Sequence, residues 1–221
     1  MRRLPVIAAL VAVQVLVFTG IVWAVGTSFY DTFDAFDETR WTKEDHNLGR
    51  SYLNPNNVTV AGGTARLEIP RRTLQGAELR SDELYYHGYY SARMKVPHAP
   101  SSITGFFLYR PPDLAREIDV EIYNDSSRRI MFTTYANGRK THTATQELPF
   151  DPRAGYHTYA FRYGAGLARF FVDGRVMRTW KTGVPRGSMH IYTNVWFPKW
   201  LEGNRPKGDR YLMVDAIRHA P

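Results

Sequence analysis

The chain has 221 residues, of which 43% are hydrophobic, 14% aromatic and 23% charged, which suits one sizeable core and excludes a disordered chain. It has no cysteine, which excludes disulfide scaffolds, thiol nucleophiles, Cys-ligated zinc and a lipoprotein anchor. The formal net charge of +8 fits nucleic acid, an anionic surface or an acidic polymer as partner, but the basic residues are scattered, with Arg2-Arg3, Arg71-Arg72 and Arg128-Arg129 the densest pairs, so no nucleic-acid partner is expected.

The chain starts with Met1-Arg2-Arg3, followed by an uncharged stretch from Pro5 to Gly26 in which only Gln14 and Thr19 are clearly polar. As a helix, 22 residues would span ~33 Å, enough to cross a bilayer. Residues 1–27 are therefore expected to be a transmembrane signal anchor or a signal peptide, with the basic end inside and the remainder exported. Residues 28–221 would form a single extracytoplasmic domain, membrane-anchored or secreted, touching the membrane only through that helix.

Beyond residue 27 the apolar pattern has a period of two, not 3.6. Expected strands, in chain order, are Val58–Val60, Ala65–Ile69, Tyr89–Val96, Gly105–Tyr109, Ile118–Tyr123, Ile130–Tyr135, Tyr156–Tyr163, Ala168–Val172, His190–Trp196 and Tyr211–Ile217. Turn signals separate them, among them Gly62-Gly63, Asn137-Gly138 and Asp173-Gly174. Phe170 to Val176 reads as a hairpin on the Asp-Gly turn. Many short strands without long helices predict an all-β, two-sheet antiparallel sandwich or jelly roll.

The fifth of these strands carries the chemistry. In Arg116-Glu117-Ile118-Asp119-Val120-Glu121-Ile122 polar and apolar residues alternate strictly, so Glu117, Asp119 and Glu121 share one face of a strand and the isoleucines and valine share the other. Three carboxylates in a row repel one another and raise at least one pKa. Retaining glycoside hydrolysis needs such a pair, one carboxyl ionised as nucleophile and one protonated as acid. A solvated strand with incidental acids is the alternative reading of this motif taken alone.

Glu117-Ile118-Asp119-Val120-Glu121 resembles the E-[IL]-D-[IVF]-E signature of glycoside hydrolase family 16, the lichenase and laminarinase group. The resemblance is co-linear from about Tyr30 to the C-terminus. It includes Glu78-Leu79-Arg80-Ser81, the stretch Gly88 to Lys95, Tyr156-His157-Thr158-Tyr159-Ala160-Phe161, Arg169 to Gly174, and Asn194-Val195-Trp196. It implies a concanavalin A-like jelly roll and a retaining endo-β-glycan hydrolase acting on β-1,3/1,4-glucan or a related exopolysaccharide. Glu117 would be nucleophile, Glu121 general acid/base and Asp119 their assistant. Glu78, Arg80, Tyr109, Tyr135, Asn194, Trp196 and Trp200 would bind substrate. A transglycosylase with the same site and a non-catalytic glycan-binding jelly roll are the alternatives. Ala115-Arg116 stands where lichenases carry Trp-Asp, so an aromatic wall beside the cut is missing, and the loop from Trp196 to Trp200 is short. Asp215 matches a structural calcium position of some relatives, although no metal or cofactor is required by the chemistry. A monomer with a polysaccharide substrate is expected.

Overall fold

The computed structural model describes residues 27–221, and the anchor or signal expected over 1–27 lies almost wholly outside them. Among the described residues no helix is long and apolar enough to cross a membrane. Seventeen strands follow in chain order: β1 (Phe29–Asp31), β2 (Trp41–Lys43), β3 (His46–Leu48), β4 (Ser51–Leu53), β5 (Val58–Val60), β6 (Ala65–Ile69), β7 (Ala77–Ser81), β8 (Gly88–Lys95), β9 (Ile103–Arg110), β10 (Arg116–Tyr123), β11 (Arg129–Ala136), β12 (Arg139–Glu147), β13 (His157–Gly164), β14 (Leu167–Val172), β15 (Arg175–Trp180), β16 (His190–Trp196) and β17 (Arg210–Ala220).

They form two large antiparallel sheets, the jelly-roll sandwich that the alternation predicts. One runs β12-β11-β10-β9-β16-β7-β2; the other runs β15-β14-β13-β8-β17-β6-β5, with β1 also paired to β17. A separate hairpin, β3-β4, completes the structure. Each inner face is apolar because alternate residues point inward. From β10, Ile118, Val120 and Ile122 are fully buried, and their neighbours in the core include Phe106, Phe132, Phe161 and Phe170. Aromatic pairs bridge the sheets: Phe106 meets Phe161 at 5.3 Å between ring centres, and Phe132 meets Phe170 at 4.9 Å. Burying one such ring contributes ~2–3 kcal/mol, and the apolar half of β10 holds its acidic half at the surface of the first sheet.

Two local features shape that surface. Gly49 adopts φ +61° in the β3-β4 turn, and a Cβ there would stand 2.6 Å from the Trp196 ring, so only glycine lets the hairpin lie against it. The next residue, Arg50, donates to the carbonyls of Pro198 (3.1 Å), Leu201 (2.6 Å), Gly203 (3.2 Å) and Ser101 (3.2 Å). One guanidinium thus ties the hairpin to the loop that carries Trp200.

Candidate active site

The strand register arranges the outer face of the first sheet in rows that cross β10. The Glu117 row runs His190, Tyr109, Glu117, Tyr135, Lys140. The Asp119 row runs Arg80, Tyr192, Phe107, Asp119, Thr133. The Glu121 row runs Glu78, Asn194, Gly105, Glu121, Met131. The central part of these rows, without Arg80 and His190 at their ends, floors a cleft of about 710 Å³, walled by Trp196, Trp200 and Tyr123 and by His46, Asn47 and Leu48 of β3. Glu117, Asp119, Glu121, Glu78, Tyr109, Tyr135, Asn194, Trp196 and Trp200 all line it.

Arg80, expected at a subsite, stands at the end of its row beyond Tyr192 and is not among the residues that line the cleft. Its Nε donates to Glu44 Oε1 at 2.5 Å and its Nη1 to the Ser81 carbonyl at 3.1 Å, and Asp82 lies 3.5 Å away. It shares a face with Glu78, as strand parity requires, and Tyr192 stands between it and the acid row. Asp215 is engaged too: Arg93 Nη1 donates to its Oδ2 at 2.5 Å. With a guanidinium against its only acid, that place does not fit a cation that needs six or more oxygens.

Burial dominates the electrostatics. It pushes Glu117 up to about 7; Asp113 and Glu78 add to this, while a hydrogen bond from Asp119 opposes it. Burial and then the Glu117 charge push Glu121 up to about 7, and Lys140 pulls it back. Asp119 lies deepest, and burial followed by the charges of Glu117 and Glu121 holds its carboxyl well above the usual range. The row therefore keeps protons near neutral pH. A protonated Asp119 donating to Glu117 steadies a negative charge there, while Glu121 is able to give and take a proton.

A second network supports the floor. Asn194 Nδ2 donates to Glu78 Oε2 at 2.7 Å, and His46 Nε2 meets Glu78 Oε1 at 3.0 Å. That bond pushes His46 up to about 9, and burial pushes Glu78 up against its two donors. Gly105 leaves room for this arrangement, since a Cβ would stand 2.5 Å from Asn194 Oδ1. That buried oxygen has no partner among the described residues. Ligand atoms of Glu44, His46 and Glu78 lie within 4.8 Å of one another, a spacing a metal could use. Arg80 on Glu44 and the proton on His46 already balance their charge, so the trio reads as an ion-pair network.

Several lining residues escaped the sequence reading. Phe107 and Tyr192, whose rings stack at 4.9 Å, share strand parity with Tyr109 and Asn194 and were open to that inference. Lys140 lies opposite Tyr135 across the Asn137-Gly138 turn. Glu44 and His46 had no local signal, because only tertiary packing brings them to the cleft.

A family model, Glycosyl hydrolases family 16, matches residues 47–208. The chain is 30% identical to a β-glucanase of Brevibacillus brevis over 219 aligned positions, covering 89% of this chain and 83% of the relative. Its structure superposes on the β-glucanase of Bacillus licheniformis with TM-score 0.82 at 28% identity, covering 90% of this chain and all of that one. A β-1,3-1,4-glucanase (lichenase) derived from a mouse hindgut metagenome gives 0.81 at 25% identity, over 89% of this chain and all of that one.

Proposed function

The chain belongs to glycosyl hydrolases family 16 and is a glycoside hydrolase, and on that premise we propose that it cuts β-1,3/1,4-linked glucan internally with retention of configuration. The observation that supports this best is the open cleft with Glu117, Asp119 and Glu121 along its floor and aromatic rings along its walls. In this reading the Glu117 carboxylate attacks the anomeric carbon and forms a glycosyl ester. Glu121 gives its proton to the departing glycosidic oxygen. Glu121 then takes a proton from water, whose oxygen attacks the same carbon and releases Glu117. Two inversions leave the original configuration. Asp119, hydrogen-bonded to Glu117, favours the anion before attack and after release.

Glu78 and Asn194 would receive sugar hydroxyls at one end of the Glu121 row, with the free Asn194 oxygen as acceptor. Tyr109, Tyr135, Trp196 and Trp200 would stack on the apolar faces of pyranose rings. Residues 28–221 would be the catalytic domain, carried outside the cytoplasm by residues 1–27. The relatives are named as hydrolases, and no observation favours transglycosylation or binding without turnover. Proton NMR of a mixed-linkage β-glucan digest tests the proposal. The β-anomer should appear first on internal oligosaccharides, whereas an initial α-anomer, or glucose released from chain ends alone, would refute it.

A further inference from the structure

The positive charge of the chain does not lie in the cleft, whose lining has six carboxylates, those of Glu44, Glu78, Asp113, Glu117, Asp119 and Glu121, against His46 and Lys140. A share of it lies on the outer face of the second sheet, on the opposite side of the sandwich. Inward positions of that sheet, such as Tyr90, Ala92, Met94, Phe161 and Phe170, are buried. The alternate positions point out and carry Arg66, Arg93, Lys95, Arg162, Arg169 and Arg218. Against them stand two acids, Glu68 and Asp215, and Asp215 is taken up by Arg93. Among the described residues, none of Arg66, Lys95, Arg162, Arg169 and Arg218 has a carboxylate within ion-pair distance.

The register concentrates this charge. Arg169 faces Arg162 directly, and Arg162 faces Tyr89. In the adjacent row Ser91 faces Arg218, and Arg218 faces Tyr30, which is 66% exposed. Like charges directly opposite across strands cost stability. The Nε of Arg169 is buried without a partner among the described residues. Tyrosine rings and hydroxyls stand among the cations at strand spacings of ~4.8 Å.

We propose that this face is a second, non-catalytic binding surface for a carboxylate-bearing polysaccharide. Arginine forks match carboxylates, tyrosines match sugar rings, and cations on neighbouring strands match charges repeated along a polymer. The choice of a glycan over another polyanion rests on the glycoside hydrolase reading of the cleft; the charge pattern does not. The surface would hold the enzyme on an acidic matrix with the cleft turned away from it.

The test uses the full chain silenced by Glu121→Gln, so that binding is read without cleavage. Electrophoretic mobility is measured in gels containing polygalacturonate, a neutral β-glucan or no polymer, and sedimentation with phosphatidylglycerol vesicles is measured in parallel. Polygalacturonate should retard the protein, less so as salt rises. Arg162→Gln, Arg169→Gln and Arg218→Gln together should weaken the binding about ten- to a hundredfold, at roughly two- to fivefold per exposed contact. The same three changes in the active chain should leave kcat/KM on short neutral β-glucan oligosaccharides unaltered. The single Arg162→Gln and Arg218→Gln variants give the answer should the triple variant misfold. Retardation that is absent, or unchanged in the variants, overturns the proposal. So does binding to vesicles that exceeds binding to polygalacturonate and disappears with the same arginines. Loss of hydrolysis with intact retardation would count against the cleft reading only.

Discussion

Replacing Glu121 by glutamine should stabilise the protein in a pH-dependent way while removing its turnover. Burial and the neighbouring Glu117 charge push the Glu121 carboxyl from 4.5 to about 7. Below pH 4.5 the group is protonated in both folded and unfolded chains and contributes nothing. Between 4.5 and about 7 the unfolded chain loses this proton while the folded chain keeps it, so stability falls as pH rises. Above about 7 the loss is complete and amounts to about 3 kcal/mol, from the interval at ~1.36 kcal/mol per pH unit. Glutamine keeps the shape and cannot ionise. The variant should match the wild type at pH 4 and exceed it by up to about 3 kcal/mol at pH 8.5. For a chain of this size that is a rise in Tm of roughly 6–12 °C. Urea unfolding followed by tryptophan fluorescence across pH 4–9 measures the gap, because urea leaves charges unscreened where guanidinium would not. Turnover should fall by about 10²–10⁴-fold with loss of the proton donor. A stability gap independent of pH, or a less stable variant at pH 8.5, would refute the reasoning.

The remaining expectations concern roles within the cleft. With an activated aryl β-glucoside and azide, Glu117→Ala should yield the α-glycosyl azide by direct displacement, and Glu121→Ala the β-azide by attack on the glycosyl ester; mass spectrometry and NMR distinguish them, and the reverse pairing would exchange the roles. Gly105→Ala places a Cβ 2.5 Å from Asn194 Oδ1 and should break the Asn194–Glu78 bond. At the ~0.5–1.5 kcal/mol of one lost substrate hydrogen bond, kcat/KM should drop about two- to tenfold, mostly through KM; an unchanged KM would show that Asn194 does not hold substrate. His46 is pushed up to about 9 by Glu78, so its ion pair is fully present below pH 6.5 and is lost as pH rises through about 9. Substrate affinity should weaken over that alkaline range in the wild type and stay flat in His46→Gln, as equilibrium binding to a silenced chain would report.

How much the sequence disclosed depended on the kind of interaction involved. β10 was legible because alternation of acids with Ile118, Val120 and Ile122 is a local property that burial then enforces. The Phe170–Val176 hairpin was legible for the same reason, with Asp173 and Gly174 at φ 48° and 76° as the turn requires. β12 was not. Its Arg139–Glu147 run has no apolar residue except Ala144 and lies at a sheet edge with mostly exposed side chains. The three-residue strands β1 to β4 are held by their partners rather than by their own pattern, so Glu44 and His46 remained hidden with them. Arg80 shows the limit of parity: its face was inferable, but which acids it would pair with was not.

The hairpin bearing His46 has two moorings of different chemical kinds. One, the imidazolium on Glu78, can be released by alkali; the other, Arg50 among four backbone oxygens, keeps its charge at any pH the protein would meet. Deprotonating His46 should therefore slacken one anchorage without casting the hairpin loose. The tryptophan side would keep its shape while the grip beside Glu78 weakens, so alkaline inactivation should be graded and reversible, well short of a collapse of the groove.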